Sequence, residues 1–327
     1  MILHLKIIFL RPNTNPVRIY QAIEEFEGVK FAVASVGTFD GVHLGHQMII
    51  RRMKEVAEAK GGETVIVTFD PHPRRVIYSD SADMKLINSS RLKKELLEKN
   101  GIDHLIILPF TAELSRLTSG EFIEQFLVNR IHAGMVVVGY NHHFGRGREG
   151  DFRSLEALGD KYCFQVEEVP PQVIDGVAVS STKIRKALLE GNVTLANKML
   201  GHEYSLTGRV IDGVKLGSRM GFPTANIMME DKRQIVAGDG VYACRVRWRE
   251  REFFGMGSIG TRPTFDGHNL AIEVHIFDFH HEIYGDELTI YWVERIRDEI
   301  KFNNINGLRD QLISDRTKVL RIFGREV

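Results

Sequence analysis

Residues Phe31 to Lys60 read FAVASVGTFDGVHLGHQMIIRRMKEVAEAK. An apolar run, Phe31–Val36, gives way to a glycine-rich turn and then to a helical stretch, His46–Lys60. Short, unbroken apolar runs suit strands buried on both faces. The same run recurs at Thr64–Phe69, His104–Pro109 and Met135–Tyr140, and more weakly at Tyr162–Val169. Helical stretches fill the intervals: Ser90–Asn100, Ser119–Ile131 and Phe152–Leu158. Strand and helix in alternation predict a parallel sheet with helices on both faces. Such sheets bind ligands beyond the carboxyl ends of their strands. Three polar clusters fall there: GTFDGVHLGH (37–46), DPHPRR (70–75) and NHHFGRGREGD (141–151).

A further helix, Ser180–Glu190, precedes a change of texture. From about Tyr204 the runs shorten and alternate: Leu206–Ile211, Val241–Trp248, Glu252–Met256, Ala271–Phe279 and Leu288–Val293. In AIEVHIFDF, Ile272, Val274 and Ile276 alternate with Glu273, His275 and Phe277. That pattern predicts strands with one apolar and one wet face, as in antiparallel sheets and small barrels. A closing helix, Gly307–Phe323, carries a broad apolar face. The boundary falls between Gly191 and Tyr204, giving one domain over residues 1–195 and another over 200–327.

The 327 residues fit two domains at ~100–200 residues each. Lys plus Arg and Asp plus Glu both number 43, so no global charge draws the chain to nucleic acid or an anionic membrane. Two distant cysteines, Cys163 and Cys244, make no disulfide framework and point to a reducing, cytoplasmic setting. The opening MILHLKIIFLRPN reads as a short strand rather than a signal peptide, because His4 and Lys6 interrupt it and no cleavage site follows. No stretch approaches the ~18 apolar residues of a membrane span. Small-molecule substrates and a monomer or weak homo-oligomer are the expectation.

A glycine-containing turn between strand and helix aims backbone N–H groups at an anion. No Gly-Lys-Ser/Thr follows, so this is not a P-loop, and Gly37, Gly41 and Gly45 do not form the dinucleotide fingerprint. His43 and His46 share a face of the first helical turn, and Gly45 permits close backbone approach. Two imidazoles there would steady charge developing at phosphorus. Alone, the pair is equally a locally bonded helix start; a zinc site completed from NHHF is a third reading, for which nothing here specifies the further ligand geometry. SSTKIRKAL (180–188) offers Ser180, Ser181 and Thr182 at a helix start beside Lys183 and Arg185. Alone, this is an ordinary N-cap.

Together these two stretches resemble the signatures of the nucleotidyltransferase superfamily, with its HxGH, Rossmann-like fold. GTFDGVHLGHQ, TFDPHP, FGRGREGD and SSTKIRKAL, in that order, resemble the adenylylating module of bacterial bifunctional riboflavin kinase/FAD synthetases, from about Phe31 to Gly191. The resemblance implies an ATP site of Gly37, Phe39, Asp40, Gly41, His43, Gly45, His46, Ser181, Thr182 and Arg185. It implies a flavin side that includes Asp70, Pro71, His72, Asn141 and Phe144. The chain departs from the family pattern at GYNHHFG, where Asn141 and His142 stand in place of the usual aspartate and its neighbour.

The second half opens with LTGRVIDGVKLGSRMGFPTAN. Its glycines suit tight turns. Thr224 and Asn226, two apart in extended chain, point the same way, and two neutral oxygens suit Mg²⁺. As a pair they are also an ordinary polar surface. GFPTAN, GVYAC, IGTRPTF, IEVHIFDF and IYGDEL, in order, resemble riboflavin kinase. That resemblance implies a small antiparallel barrel with a terminal helix. It implies Mg-ATP held near Gly217, Gly221, Thr224 and Asn226, and Glu273 as the base for the riboflavin 5′ hydroxyl. Ser258 stands where the family usually has asparagine. The expected chemistry is riboflavin to FMN, then FMN to FAD, each with ATP. Two alternatives stand beside it: an adenylyltransferase for another cofactor precursor, and a flavin-binding regulatory protein without turnover.

Overall fold

The computed structural model describes residues 16–78, 84–213, 217–264, 267–302 and 304–325. The expected strand in MILHLKIIFLRPN lies outside the described residues. Contacts divide the chain into two units between Val179 and Ser180.

The first unit holds β1 (Arg18–Tyr20), β2 (Ala32–Val36), β3 (Glu63–Asp70), β4 (His104–Pro109), β5 (Ala133–Gly139) and β6 (Gln165–Val169). They form one parallel sheet in the order β1-β4-β3-β2-β5-β6. Its helices are α1 (Leu44–Lys60), α2 (Pro73–Ile77), α3 (Ser90–Lys99), α4 (Ser119–Phe122) and α5 (Phe152–Tyr162). A small hairpin, β7 (Val173–Ile174) and β8 (Val177–Ala178), ends the unit.

The sheet separates two apolar cores. Ala32, Ala34 and Val36 of β2 face one with Val65, Val67, Val136 and Val138. Val33 faces the other with Ile66, Val137 and Leu105, where Ile50 and Met53 of α1 and Leu97 of α3 complete it. Alternate residues of one strand thus bury on opposite sides, which is why the runs are continuous in sequence. The stretch Ser119–Ile131 is not one regular helix: after α4 it widens into a π-helical turn over Ile123–Val128. Ile123, Leu127 and Ile131 remain buried along it.

The second unit begins with α6 (Ser181–Leu189) and α7 (Val193–Leu200). The interval between Gly191 and Tyr204 is therefore mostly helix. Asn197 of α7 donates to the carbonyl of Trp292 at 2.8 Å and accepts from the amide of Tyr204 at 2.7 Å, tying the helix to strand ends. The strands β9 (Tyr204–Ile211), β10 (Ala225–Met229), β11 (Gly240–Trp248), β12 (Arg251–Thr264), β13 (Gly267–Ile276) and β14 (Glu287–Arg297) close into an antiparallel barrel, β10-β13-β12-β11-β14-β9. A Cβ on Gly257 would lie 2.6 Å from the indole of Trp292, so glycine there makes room for the largest buried ring.

The helix α8 (Ile305–Ile322) packs Val319 and Leu320 against Ala243, Met256 and Phe277. This corrects one expectation. Ile272, Val274 and Ile276 are buried, but so are His275 and Phe277 on the face expected to be wet. The apolar stripe of α8 covers it. Of the outward set only Glu273 keeps partial exposure. A buried ion pair fastens the helix: Arg297 donates to Asp315, which also accepts from Gln311.

Candidate active sites

The turn from β2 to α1 is built by its own side chains. Gly41 has φ 90°, and Phe39 and Val42 also take left-handed backbone at φ 46° and 41°. Non-glycine residues rarely do so, least of all a β-branched one. Burial holds them there, since Phe39 is 2% exposed and Val42 wholly buried in the α1-side core. The carboxylate of Asp40, also buried, accepts from the amide of Ile87 at 2.9 Å. The carbonyl of Thr38 accepts from Thr68 Oγ1 at 3.1 Å and from Lys93 Nζ at 3.2 Å. The amide of Gly37 donates to the carbonyl of Val67 at 3.0 Å. Three segments thus pin one turn.

His43 is the N-cap of α1, accepting weakly from the amide of His46 at 3.4 Å. The two imidazoles stack with centroids 3.7 Å apart and planes 14° apart. Gly45 permits this: a Cβ there would sit 3.1 Å from His43 Cε1 and 3.2 Å from its Nδ1. The ring of Phe39 lies 5.0 Å from that of His46. His46 Nδ1 is buried with no partner within the protein. Burial first, then the neighbouring His43 and the Lys93 ammonium, hold the His46 proton affinity well below that of an ordinary histidine. A neutral imidazole results, able to donate one hydrogen bond without carrying charge.

Beside this turn, a cleft opens at the ends of β3 and β4, lined by Thr68, Asp70, Ser90, Lys93, Lys94 and Ile107 among others. Asp70 accepts from Ser90 Oγ at 3.2 Å, and the Asp70–Pro71 bond is cis. His72 caps α2, accepting from the amide of Arg74 at 3.2 Å. After β5, Asn141 is exposed and Phe144 buried, bridging Gly150. His142 stacks on Phe144 at 5.6 Å, and burial, then His143 and Arg148, lower its pKa to about 4. Ser181, Thr182 and Arg185 open α6, capped by Ser180, in the second unit. Among the described residues, no three His, Cys, Asp or Glu side chains gather as a metal cluster.

Sequence reading did not single out Lys93 or Asn88. Lys93 lies in an amphipathic helix, where a lysine normally reads as solvated. Asn88 is 1% exposed with neither polar atom partnered in the protein. Only the polar Asn-Ser-Ser run before the helix hinted at more than a cap.

In the barrel, Thr224 Oγ1 donates to Glu273 Oε2 at 3.1 Å. Asn226 of β10 and Ser258 of β12 sit directly opposite Glu273 in register, so the three side chains share one face. Ser258 Oγ lies 3.4 Å from Glu299 Oε1. The segment before Thr224 is fixed by His275, whose Nδ1 donates to the carbonyl of Pro223 at 2.7 Å and whose ring meets Phe222 at 5.2 Å. Gly221 turns with φ 83°, and Gly217 accepts from the amide of Phe222 at 2.9 Å, shaping the loop that enters GFPTAN. Thr224 and Asn226 offer neutral side-chain oxygens on this face, the kind that suit Mg²⁺.

A model of the FAD synthetase family matches residues 27–183, and one of the riboflavin kinase family matches residues 200–323. The chain is 39% identical over 294 residues to the bifunctional riboflavin kinase/FMN adenylyltransferase of Listeria monocytogenes serovar 1/2a, covering 90% of this chain and 93% of that protein. To the Escherichia coli K12 protein of the same name it is 34% identical over 295 residues, covering 89% and 93%. A crystal structure of a Streptococcus pneumoniae protein called a macrolide-efflux protein matches with a TM-score of 0.85 at 32% identity, covering 92% of this chain and 98% of that one. Among the described residues of the present chain, no helix is long and apolar enough to cross a membrane. The family models over both halves and the identity to these relatives over most of the chain place it in the family of bifunctional riboflavin kinase/FMN adenylyltransferases.

Proposed function

We propose that the barrel unit phosphorylates riboflavin to FMN with ATP, and that the α/β unit transfers the adenylyl group of a second ATP to FMN. The observation that carries this reading is the hydrogen-bonded Thr224–Glu273 pair facing Asn226, in a chain whose other unit presents a stacked histidine pair at a strand-to-helix turn.

In the kinase step, Glu273 takes the proton of the riboflavin 5′ hydroxyl as its oxygen attacks the γ-phosphorus, because a primary alcohol needs a proton acceptor to become a nucleophile. Thr224 orients that carboxylate through its hydroxyl. Thr224 and Asn226, together with ATP oxygens, would hold Mg²⁺, which would neutralise charge on the phosphates. Positioning and charge neutralisation carry most of phosphoryl transfer. Gly217 and Gly221 let the preceding loop lie close to the nucleotide.

In the adenylylation step, an FMN phosphate oxygen attacks the α-phosphorus and the bond to pyrophosphate breaks. The nucleophile is already ionised, so no general base is required. His43 and His46 donate to phosphate oxygens while charge builds, with Gly37, Phe39, Asp40, Gly41 and Gly45 shaping the turn that receives them. On motif alone, Ser181, Thr182 and Arg185 also belong to ATP binding. Asp70, Pro71, His72, Asn141 and Phe144 belong to the flavin side. The free cysteines suit a cytoplasmic enzyme.

The test is to incubate the pure protein with riboflavin, ATP and Mg²⁺ and to resolve the flavins by chromatography. FMN followed by FAD is the expected result, and His46→Ala should stop the second product alone. Riboflavin bound but unchanged would make the chain a flavin-binding protein. Loss of both products in folded His46→Ala would refute separate sites.

A further inference from the structure

We propose that Lys93 is a positioning residue of the adenylylation site: it holds the phosphate turn through the carbonyl of Thr38 and sets a fixed positive charge at that turn. The inference rests on the reading of His43 and His46 as phosphate contacts.

Lys93 reaches the turn from α3, not from the motif itself. Its Nζ donates to the Thr38 carbonyl at 3.2 Å, a carbonyl that Thr68 of β3 also binds. Seven residues, 87–93, span the two attachments of this segment, since the amide of Ile87 donates to Asp40 Oδ1. The segment therefore clasps the turn at Thr38 and at Asp40. Next to Ile87, buried Asn88 has no protein partner for either polar atom, hydrogen-bonding capacity that a bound molecule would use.

The chemistry calls for such a charge. Adenylylation presses an FMN phosphate, an anion, against an ATP phosphate chain, also anionic. His46 is held neutral and donates without neutralising charge. Two titratable groups bear on it: His43 from its own turn and Lys93 from α3. Asp40 of the same turn is engaged with Ile87. Lys93 also lines the cleft that carries Asp70, so its stem runs between the turn and the cluster after β3.

The test uses the full chain with FMN, ATP and Mg²⁺, following FAD formation against pH in the wild type, Lys93→Met, Lys93→Arg and His46→Ala. Lys93→Met should lower kcat for FAD formation by about 10–100-fold, the scale of a misplaced reacting group. It should also move the acid limb of the pH profile upward, because removing a nearby cation raises the proton affinity of His46. Lys93→Arg should return the acid limb to its wild-type position. The limb does not depend on the fraction of folded enzyme, so partial misfolding does not mask it. An acid limb unmoved in Lys93→Met overturns the proposal. FAD formation that survives in His46→Ala instead overturns the phosphate-site reading beneath it.

Discussion

The hydroxyl of Thr224 donates to the carboxylate of Glu273 across 3.1 Å, joining the GFPTAN segment to the neighbouring strand β13. Glu273→Gln keeps the shape but removes the proton acceptor. FMN formation should fall by about 10²–10⁴-fold, the usual contribution of general-base catalysis. FAD formation from supplied FMN should persist. Thr224→Ser should keep most kinase activity, and Thr224→Val should lose most of it. Chromatographic assay of the two reactions separately checks each outcome.

Gly45→Ala would set a methyl 3.1 Å from His43 Cε1. That distance is tight, and the imidazole must swing away from His46. FAD formation should drop by about tenfold or more, since small displacements of positioning groups carry large rate penalties. The melting temperature should change little, because the position is on a first helical turn where alanine is a good helix former. Steady-state kinetics of FAD formation and a thermal melt test the two halves of this prediction.

Asp315→Ala should destabilise the barrel unit strongly. Asp315 is wholly buried and holds Arg297, whose side chain is only 13% exposed, and removing one partner of such a pair costs about 3–5 kcal/mol. Replacing both residues, Arg297→Met with Asp315→Leu, should recover much of the loss, because no unpaired charge is left behind. Urea unfolding monitored at the tryptophans of the barrel, Trp248 and Trp292, measures both variants.

The α/β unit should lose stability in mild acid. His46, His104 and His142 all bind protons less readily in the fold than an ordinary histidine, each chiefly through burial, and His142 titrates at about 4. The unfolded chain binds more protons than the native one below about pH 6.5. The stabilisation is therefore complete above that pH and is lost as pH falls toward 4. Melting temperatures from pH 7 to pH 4 should decline, and His142→Gln should make the decline shallower.

The parallel sheet was legible because burial on both faces writes itself as unbroken apolar runs; β4 lies over His104–Pro109, as its run suggested. The three-residue edge strand β1 left no such trace, since Arg18 and Ile19 are exposed and only its pairing with β4 defines it. In the barrel, alternation located β13 but misjudged its outer face, because the residues that cover His275 and Phe277 come from α8 and from Phe222, distant in sequence. The motif residues were pointed out by their resemblance to a family, since spacing alone left the His43–His46 and Thr224–Asn226 pairs open to ordinary cap and surface readings. Lys93 could not, because its significance depends on a carbonyl 55 residues away. His275 was hidden in the same way, as its partner is the carbonyl of Pro223.

The enclosure of β13 bears on how the barrel breathes. This strand pairs with β10 on one edge and β12 on the other, while Ile272, Val274, His275 and Ile276 are buried. Amides with no edge and no open face exchange with solvent only when the whole unit opens. Val274 and His275 should therefore be among the slowest to take up deuterium, and Glu273 rides on the part of the barrel that lets go last. On the proposed reading, the base then stays in register while nucleotide enters and leaves.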